Sequence, residues 1–121
     1  MADVVFEGSF DEVSSLEDWL RGADALRGRT RLRHMRPGAG RMGGEPPALV
    51  VDVASQGQAT ALARTVELWL RSRGRQVALR LRVGEEITID LDLRAKLDPE
   101  TLVAQVSAIL RDALDAALEA D

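Results

Sequence analysis

Residues 77–83 and 87–93 carry the clearest hydrophobic pattern, because large apolar residues occupy every second position in both. A period of two places alternate side chains on opposite faces of a strand, so these segments predict the two strands of a β-hairpin. A two-residue loop would set apolar positions of one strand against charged positions of the other. A three-residue loop over 84–86 sets Val83 opposite Ile87 and keeps one face apolar, so we predict this loop.

Three other segments repeat apolar residues at three- and four-residue spacing, which predicts an amphipathic α-helix in each. Gly22 and Gly74 are expected to end the first two helices, because glycine readily adopts the conformations found at helix C-termini. The predicted apolar faces are, in chain order, Val13, Leu16, Trp19 and Leu20; Ala59, Leu62, Ala63, Val66, Trp69 and Leu70; and Leu102, Val106, Ile109, Leu110, Ala113, Leu114 and Ala117.

The first and last helices also have N-terminal signals. Ser9 and Asp11 are candidate N-caps of the first helix, and Glu12 lies three residues after Ser9, as in a capping box. Asp98-Pro99 predicts the start of the last helix, because aspartate accepts hydrogen bonds from free N–H groups and proline suits the first helical position. The last helix is expected to run almost to the end of the sequence.

Four segments complete the pattern. Residues 4–8 predict a short first strand, and residues 29–36 predict another in which arginines alternate with Leu32 and its neighbours. Residues 37–47 are rich in glycine and proline and predict a loop. Residues 48–54 leave two readings open: the valines favour a strand, whereas the position just before a helix allows a short buried helix, which we slightly favour.

The resulting order is β-α-β-(α)-α-β-β-α, in which helices do not alternate strictly with single strands. This order favours an α+β fold over a doubly wound sheet. We expect about four strands in a small mixed or antiparallel sheet, packed with about three main helices and ending in a β-hairpin followed by a long helix. The length fits a single domain over residues 1–121, with the Gly/Pro-rich loop at 37–47.

Composition narrows the class of protein. Hydrophobic residues make up 45% of the chain and the net charge is only −4, which is typical of a folded, soluble domain rather than a disordered one. The absence of cysteine excludes disulfides, thiolate metal sites and cysteine nucleophiles, and it fits a reducing compartment. The acidic start of the sequence does not resemble a signal peptide, and no apolar run is long enough to span a bilayer. We therefore expect a cytoplasmic protein.

The motifs that would indicate nucleotide binding, catalysis or metal binding are weak in this sequence. Residues 38–43 match G-x-G-x-x-G after a predicted strand, but Pro46-Pro47 follow where a dinucleotide-binding loop would open a helix. His34 is the only histidine and has no evident catalytic or metal-binding partner. Asp90 and Asp92 share a strand face and could bind a hard cation. The arginines of the preceding strand can pair with these carboxylates instead, at a lower cost in free energy. We therefore expect no catalytic residue, cofactor or metal, and no enzymatic activity.

Arginines concentrate in residues 21–41, where seven of them are opposed only by Asp24. This basic segment is typical of a surface that docks an acidic protein or nucleic acid, but also of a solvated strand face. The scarcity of aromatic residues argues against a base-stacking surface. The candidate partner-binding residues are Arg29, Arg31, Arg33, Arg36, Arg41 and Met42.

The chain also resembles a known family. Helix 1 carries S-L-E-D-W-L-R at 15–21, the loop carries R-M-G-G at 41–44, and the second helix carries A-T-A-L-A-R at 59–64 and L-W-L-R-S-R at 68–73. In this order and spacing, and with the hairpin following directly, they resemble the effector-associated constant component family of bacterial conflict systems. The resemblance covers about residues 4–94.

The resemblance implies a function in defence. Members of that family are short α+β proteins encoded beside variable effectors, including caspase-like and trypsin-like peptidases, and no catalytic residues carry over. We therefore expect a non-catalytic interaction module that acts as an adaptor or regulatory component with a peptidase or other effector, and that also has the potential to form homo-oligomers. The alternative is a small nucleic-acid-binding regulator that uses the same arginine-rich strand.

Overall fold

The computed structural model describes residues 2–33, 47–73, 77–85, 87–94 and 98–119. Within these ranges the strands are β1 (Ala2–Glu7), β2 (Thr30–Arg33), β3 (Ala48–Val53), β4 (Ala78–Val83) and β5 (Ile87–Asp92). The helices are α1 (Phe10–Arg21), α2 (Gln56–Arg73) and α3 (Pro99–Glu119), and a single 3₁₀ turn, Asp24–Leu26, follows α1. The fold is α+β, with a β-hairpin followed by a long helix, as predicted.

The strands form one antiparallel sheet in the order β2-β3-β1-β4-β5. β1 occupies the centre, and its alternate residues Val4 and Phe6 are fully buried. The inward residues of the strands join the apolar stripes of all three helices in a single core cluster. The molecule is therefore a two-layer sandwich, in which the helices pack against one face of the sheet.

The segment at 48–54 corrects the sequence analysis, because it is strand β3 and not a short helix. β3 lies between β2 and β1, and five of its six residues are buried. A strand that is covered on both faces reads as a continuous apolar run and loses the alternation that would identify it. The added strand gives the sheet five strands instead of about four.

The hairpin prediction is confirmed residue by residue. Val83 pairs with Ile87 and Arg80 with Asp90, so the connection is the three-residue loop that the faces require. Gly84, the first loop residue, has a φ of 61°, a left-handed conformation that favours glycine. β2 is also a strand, but residues 34–46, which include His34 and most of the predicted 37–47 loop, lie outside the described residues.

The helices bury most of the predicted stripes. Every position assigned to the apolar face of α2 is buried, including Trp69, whose Nε1 donates a hydrogen bond to Ser15 Oγ of α1 at 3.0 Å. Trp19 of α1 and Ile109 of α3 are exceptions, since they are 41% and 46% exposed. Each lies on the flank of its helix rather than at the centre of the buried stripe. The apolar faces predicted from the sequence are therefore wider than the faces that the structure buries.

Glu12 joins the start of α1 to the edge of the sheet. Its Oε1 accepts hydrogen bonds from the Ser9 N–H at 3.2 Å and from the Ser9 hydroxyl at 2.8 Å, which completes the predicted capping box. Its Oε2 accepts a hydrogen bond from the Ala78 N–H at the beginning of β4, at 2.7 Å. A Cβ on Gly8 would lie only 2.5 Å from Leu79 Cδ2 and 3.3 Å from Glu12 Oε1, so glycine allows this close approach.

Replacing Glu12 with alanine should lower the free energy of unfolding by about 2–4 kcal/mol, because the partly buried N–H groups of Ser9 and Ala78 lose their acceptor. Asp18→Ala on the exposed side of α1 is the matched control, and its cost should stay within about 0.5 kcal/mol. Urea unfolding followed by circular dichroism measures both. Equal losses in the two variants would contradict a joining role for Glu12.

The hydrogen bonds of Asp98 at the start of α3 predict that the stability of the fold depends on pH in the acid range. Its carboxylate accepts hydrogen bonds from the Thr101 hydroxyl and from the Thr101 N–H, and these bonds lower the pKa of Asp98 below its ordinary value of 3.8. A lowered folded-state pKa contributes stability above the unfolded-state pKa, and this contribution is lost as the pH falls below about 4. Asp98→Asn should therefore be less stable than wild type at pH 7, and the difference should shrink at pH 3 in urea unfolding. A difference that is independent of pH would refute the assignment.

Candidate functional site

The candidate site is the face of the sheet that points away from the three helices, here called the outer face. Its side chains come from the alternate strand positions that do not join the core cluster. Cross-strand pairing arranges them in two rows that run from β2 to β5. One row is Arg31, Val50, Val5, Arg82 and Thr88, and the other is Arg33, Ala48, Glu7, Arg80 and Asp90.

Most charges on the outer face are paired within the chain. Arg80 Nε donates a hydrogen bond to Asp90 Oδ1 at 2.8 Å, and this bond raises the pKa of Arg80 above its ordinary value. Arg82 Nε lies 3.0 Å from Glu7 Oε1, at an angle too bent for a hydrogen bond. Exposed pairs of this kind contribute little stability, about 0–1 kcal/mol each. They instead set a pattern of alternating charge across the sheet.

Arg31 differs from these arginines. Its side chain is exposed, and it makes no ion pair with any residue in the part of the chain that the structure describes. Arg29, two residues earlier, is held by Asp52 at 3.1 Å, and both side chains are about one-third exposed. Arg31 therefore presents an uncompensated guanidinium, with its planar set of donors, at the β2 edge of the outer face.

A shallow depression of about 290 Å³ lies beside Arg31. Asp3 and Asp52 stand opposite each other in the pairing of β1 and β3, and Asp52 Oδ1 has no hydrogen-bond partner among the described residues. The lining thus combines carboxylates with guanidinium groups, a mixture that suits a partner with both charges better than a polyphosphate backbone. The residues that line the depression are Asp3, Gly28, Arg29, Arg31, Val50 and Asp52.

The structure divides the basic segment predicted from the sequence. Arg21 pairs with Glu17 and Asp18 on α1, and Arg27 lies 3.4 Å from Asp24 in the turn that follows. Of the candidate partner-binding residues, Arg29, Arg31 and Arg33 come together at the β2 edge. The other three, Arg36, Arg41 and Met42, lie outside the described residues.

Sequence reasoning missed the apolar part of the site. Val5 and Val50 stand opposite each other in the central strands, between Arg31 on one side and Arg82 on the other. The polar-apolar alternation of β1 was too short to assign Val5 to a face, and the helical reading of 48–54 hid Val50. The charged groups therefore border a small apolar strip, in which Val50 is buried and Val5 is half-buried.

The helical layer provides a second, less organised surface. Phe10, Trp19 and Leu68 are 51%, 41% and 44% exposed on α1 and α2. Arg73 of α2 donates a hydrogen bond from NH2 to Asp11 Oδ2 of α1 at 2.9 Å, and its guanidinium lies 5.6 Å from the ring centroid of Trp69, one turn earlier on α2. The exposed apolar groups are scattered singly, which is normal for a protein surface.

Two further observations concern membranes and metals. Among the described residues, no helix combines the length and hydropathy that a bilayer crossing requires. In the same ranges, His, Asp and Glu nowhere form a group of three or more that could hold a metal ion. Asp90, considered above as a cation ligand, pairs with Arg80, and Asp92 is bound by Arg94 at 3.0 Å.

Comparison with known proteins adds the family. No curated protein and no solved structure matches the chain. One protein family, described as Effector Associated Constant Component 1, matches residues 7–110. The match begins at the end of β1 and continues into α3, so it extends beyond the region on which the sequence resemblance rests. Because it covers most of the chain, this protein belongs to the Effector Associated Constant Component 1 family, whose name describes an accessory component of effector systems.

Proposed function

We propose that this protein is a non-catalytic adaptor or regulatory component of a bacterial conflict system, and that it binds a peptidase or another effector encoded beside it. The observation that carries the proposal is the exposed guanidinium of Arg31, which has no ion pair within the described ranges, at the edge of a charged sheet face. Membership of an effector-associated family supports an effector as the partner. The protein acts by holding or restraining the effector.

The outer face supplies both affinity and selectivity for such a partner. Arginine binds carboxylates through two parallel hydrogen bonds, so Arg31 and Arg33 select an acidic segment of the effector. Val5, which is half-buried on the outer face, offers a small apolar contact beside these charges. Because β2 is an edge strand of the described sheet, an extended effector segment can also pair with its backbone.

The non-catalytic part of the proposal rests on the chemistry that the chain offers. It contains no cysteine and a single histidine, His34, so a thiol nucleophile is excluded and histidine-assisted catalysis depends on one residue. The Arg80–Asp90 pair on the outer face is exposed, whereas catalytic carboxylates need environments that separate their pKa values. Binding alone accounts for the arrangement.

Charge reversal tests this surface. Arg31→Glu combined with Arg33→Glu should weaken the complex with the effector at least about tenfold, because like charges then face the acidic segment. Arg64→Glu combined with Arg111→Glu is the matched control, since both arginines are exposed on helices α2 and α3. Affinity is measured by calorimetry with the effector recovered from a native lysate, and thermal unfolding checks that both variants fold. Equal affinity of the two variants would exclude this surface.

The nucleic-acid alternative makes a different prediction for the same protein. Phosphate contacts release counterions, so the binding constant would fall steeply between about 0.05 and 0.2 M salt. We expect no shift of labelled DNA or RNA by the wild-type chain even at the low end of this range. A shift that disappears in the Arg31→Glu, Arg33→Glu variant would replace the adaptor proposal with a nucleic-acid regulator.

A further inference from the structure

The two edges of the sheet carry opposite charges on the outer face. At one edge, β2 and the residue before it present Arg29, Arg31 and Arg33. At the other edge, β5 presents Asp90 and Asp92 with Thr88, and the two aspartates also pair with Arg80 and Arg94 of the same chain. The edges are therefore electrostatically complementary to each other, although the width of the sheet keeps them apart within one molecule.

Both edge strands are also suited to pairing. An edge strand presents unpaired backbone N–H and C=O groups, and soluble proteins commonly block such edges with proline, a bulge or an inward-pointing charge. Neither β2 nor β5 contains a proline, and every residue of β5 is paired in register with β4 without a bulge. On the helix side, β5 presents the half-buried Ile87 and Ile89.

The topology decides how two copies can meet at these edges. Each neighbouring pair in the sheet is antiparallel, so β2 and β5, which are four steps apart, run in the same direction. If the helices of both copies lie on the same side, β5 of one copy meets β2 of the next as a parallel pair. Two β5 strands would meet as an antiparallel pair, but this arrangement brings together two acidic edges.

One register satisfies both faces at once. Setting residues 88–92 of one copy beside residues 29–33 of the next places Asp90 beside Arg31 and Asp92 beside Arg33. The inward side then pairs Leu91 with Leu32, which is half-buried and packs against the core. A shift by one residue would set outward positions of one strand beside inward positions of the other, so the alternation excludes odd shifts. A shift by two residues would set Asp90 beside Arg29, which Asp52 already pairs, and Leu91 beside Thr30, so the first register is better matched.

The atoms needed for the central contact are present. Arg31 has no ion pair among the described residues, and Asp90 uses Oδ1 to accept the hydrogen bond from Arg80. A carboxylate has about four acceptor positions, so Asp90 can bind a second guanidinium without releasing the first.

We propose that the chain assembles head to tail with further copies of itself, with the β5 edge of one copy added to the β2 edge of the next. The two surfaces of this contact are different, so the contact does not close a dimer and each addition leaves one β2 edge and one β5 edge uncovered. The assembly is a continuous sheet with all helices on one side. The inference does not depend on the adaptor proposal, because it uses only the charges and directions of the strands.

Sedimentation equilibrium tests the assembly. The mass of the wild-type chain should rise with protein concentration from the 13.2 kDa monomer through successive multiples, and it should fall when salt is raised from about 0.05 to 0.5 M. Two variants each reverse one edge: Arg31→Glu with Arg33→Glu, and Asp90→Arg with Asp92→Arg. Each variant alone should associate at least about a hundredfold more weakly, because like charges then meet at the contact.

Mixing the two variants provides the decisive result. Each reversed edge now complements an edge of the other variant, so an equimolar mixture should recover assembly with alternating copies. A wild-type chain that stays monomeric, or a mixture that stays monomeric, would overturn the proposal. A closed dimer that is insensitive to Arg31 and Arg33 would overturn it in favour of pairing between two β5 strands.

Two controls keep the test independent of folding and of effector binding. Asp90→Arg places an arginine opposite Arg80, so thermal unfolding must show that the variant folds. Ile89→Lys blocks the same edge from the inward side, where lysine can extend its ammonium group to solvent. Ile89→Lys lies on the inward side, outside the outer face, so it should lose assembly but keep effector affinity. If the adaptor proposal fails, Ile89→Lys should still lose assembly.

Discussion

The buried carboxylate of Glu12 is the contact on which the architecture depends. It closes the capping box of α1 and also accepts the first N–H of β4, so a single side chain fixes the start of a helix against the start of a strand. Gly8 permits this approach because a side chain there would collide with Leu79. Since β4 lies beside the central β1, the contact sets where α1 crosses the sheet, and the three helices then cover the same face.

Coverage of one face has consequences for the other. The inward strand positions can be uniformly apolar, whereas the outer face carries arginines and carboxylates around the buried positions Ala48 and Val50 of β3. Most of these groups neutralise one another across neighbouring strands. The imbalance that remains lies at the β2 edge, where Arg31 has no ion pair among the described residues, whereas Asp90 and Asp92 of β5 pair with Arg80 and Arg94. Recognition and assembly both draw on this imbalance.

The sequence predicts those parts of the fold in which one local rule acts alone. Alternation in β4 and β5 determines the loop length and the full register, and the spacing of Ser9 and Glu12 identifies the capping box. Prediction from the sequence fails at β3, because burial on both faces of this strand removes the alternation of polar and apolar residues. The candidate site shows the same limit: the arginines of β2 are visible in the sequence, but the compensation of Arg29 by Asp52 depends on the pairing of β2 with β3.

Backbone hydrogen exchange of the chain, alone and bound to its effector, tests the central claim that the β2 edge and outer face form the binding surface. The free chain must be dilute enough to be monomeric. The account predicts slower exchange in β2 on binding and little change in α1 and α2. Protection confined to these two helices, around Trp19 and Leu68, would contradict the account and place the effector on the helical layer.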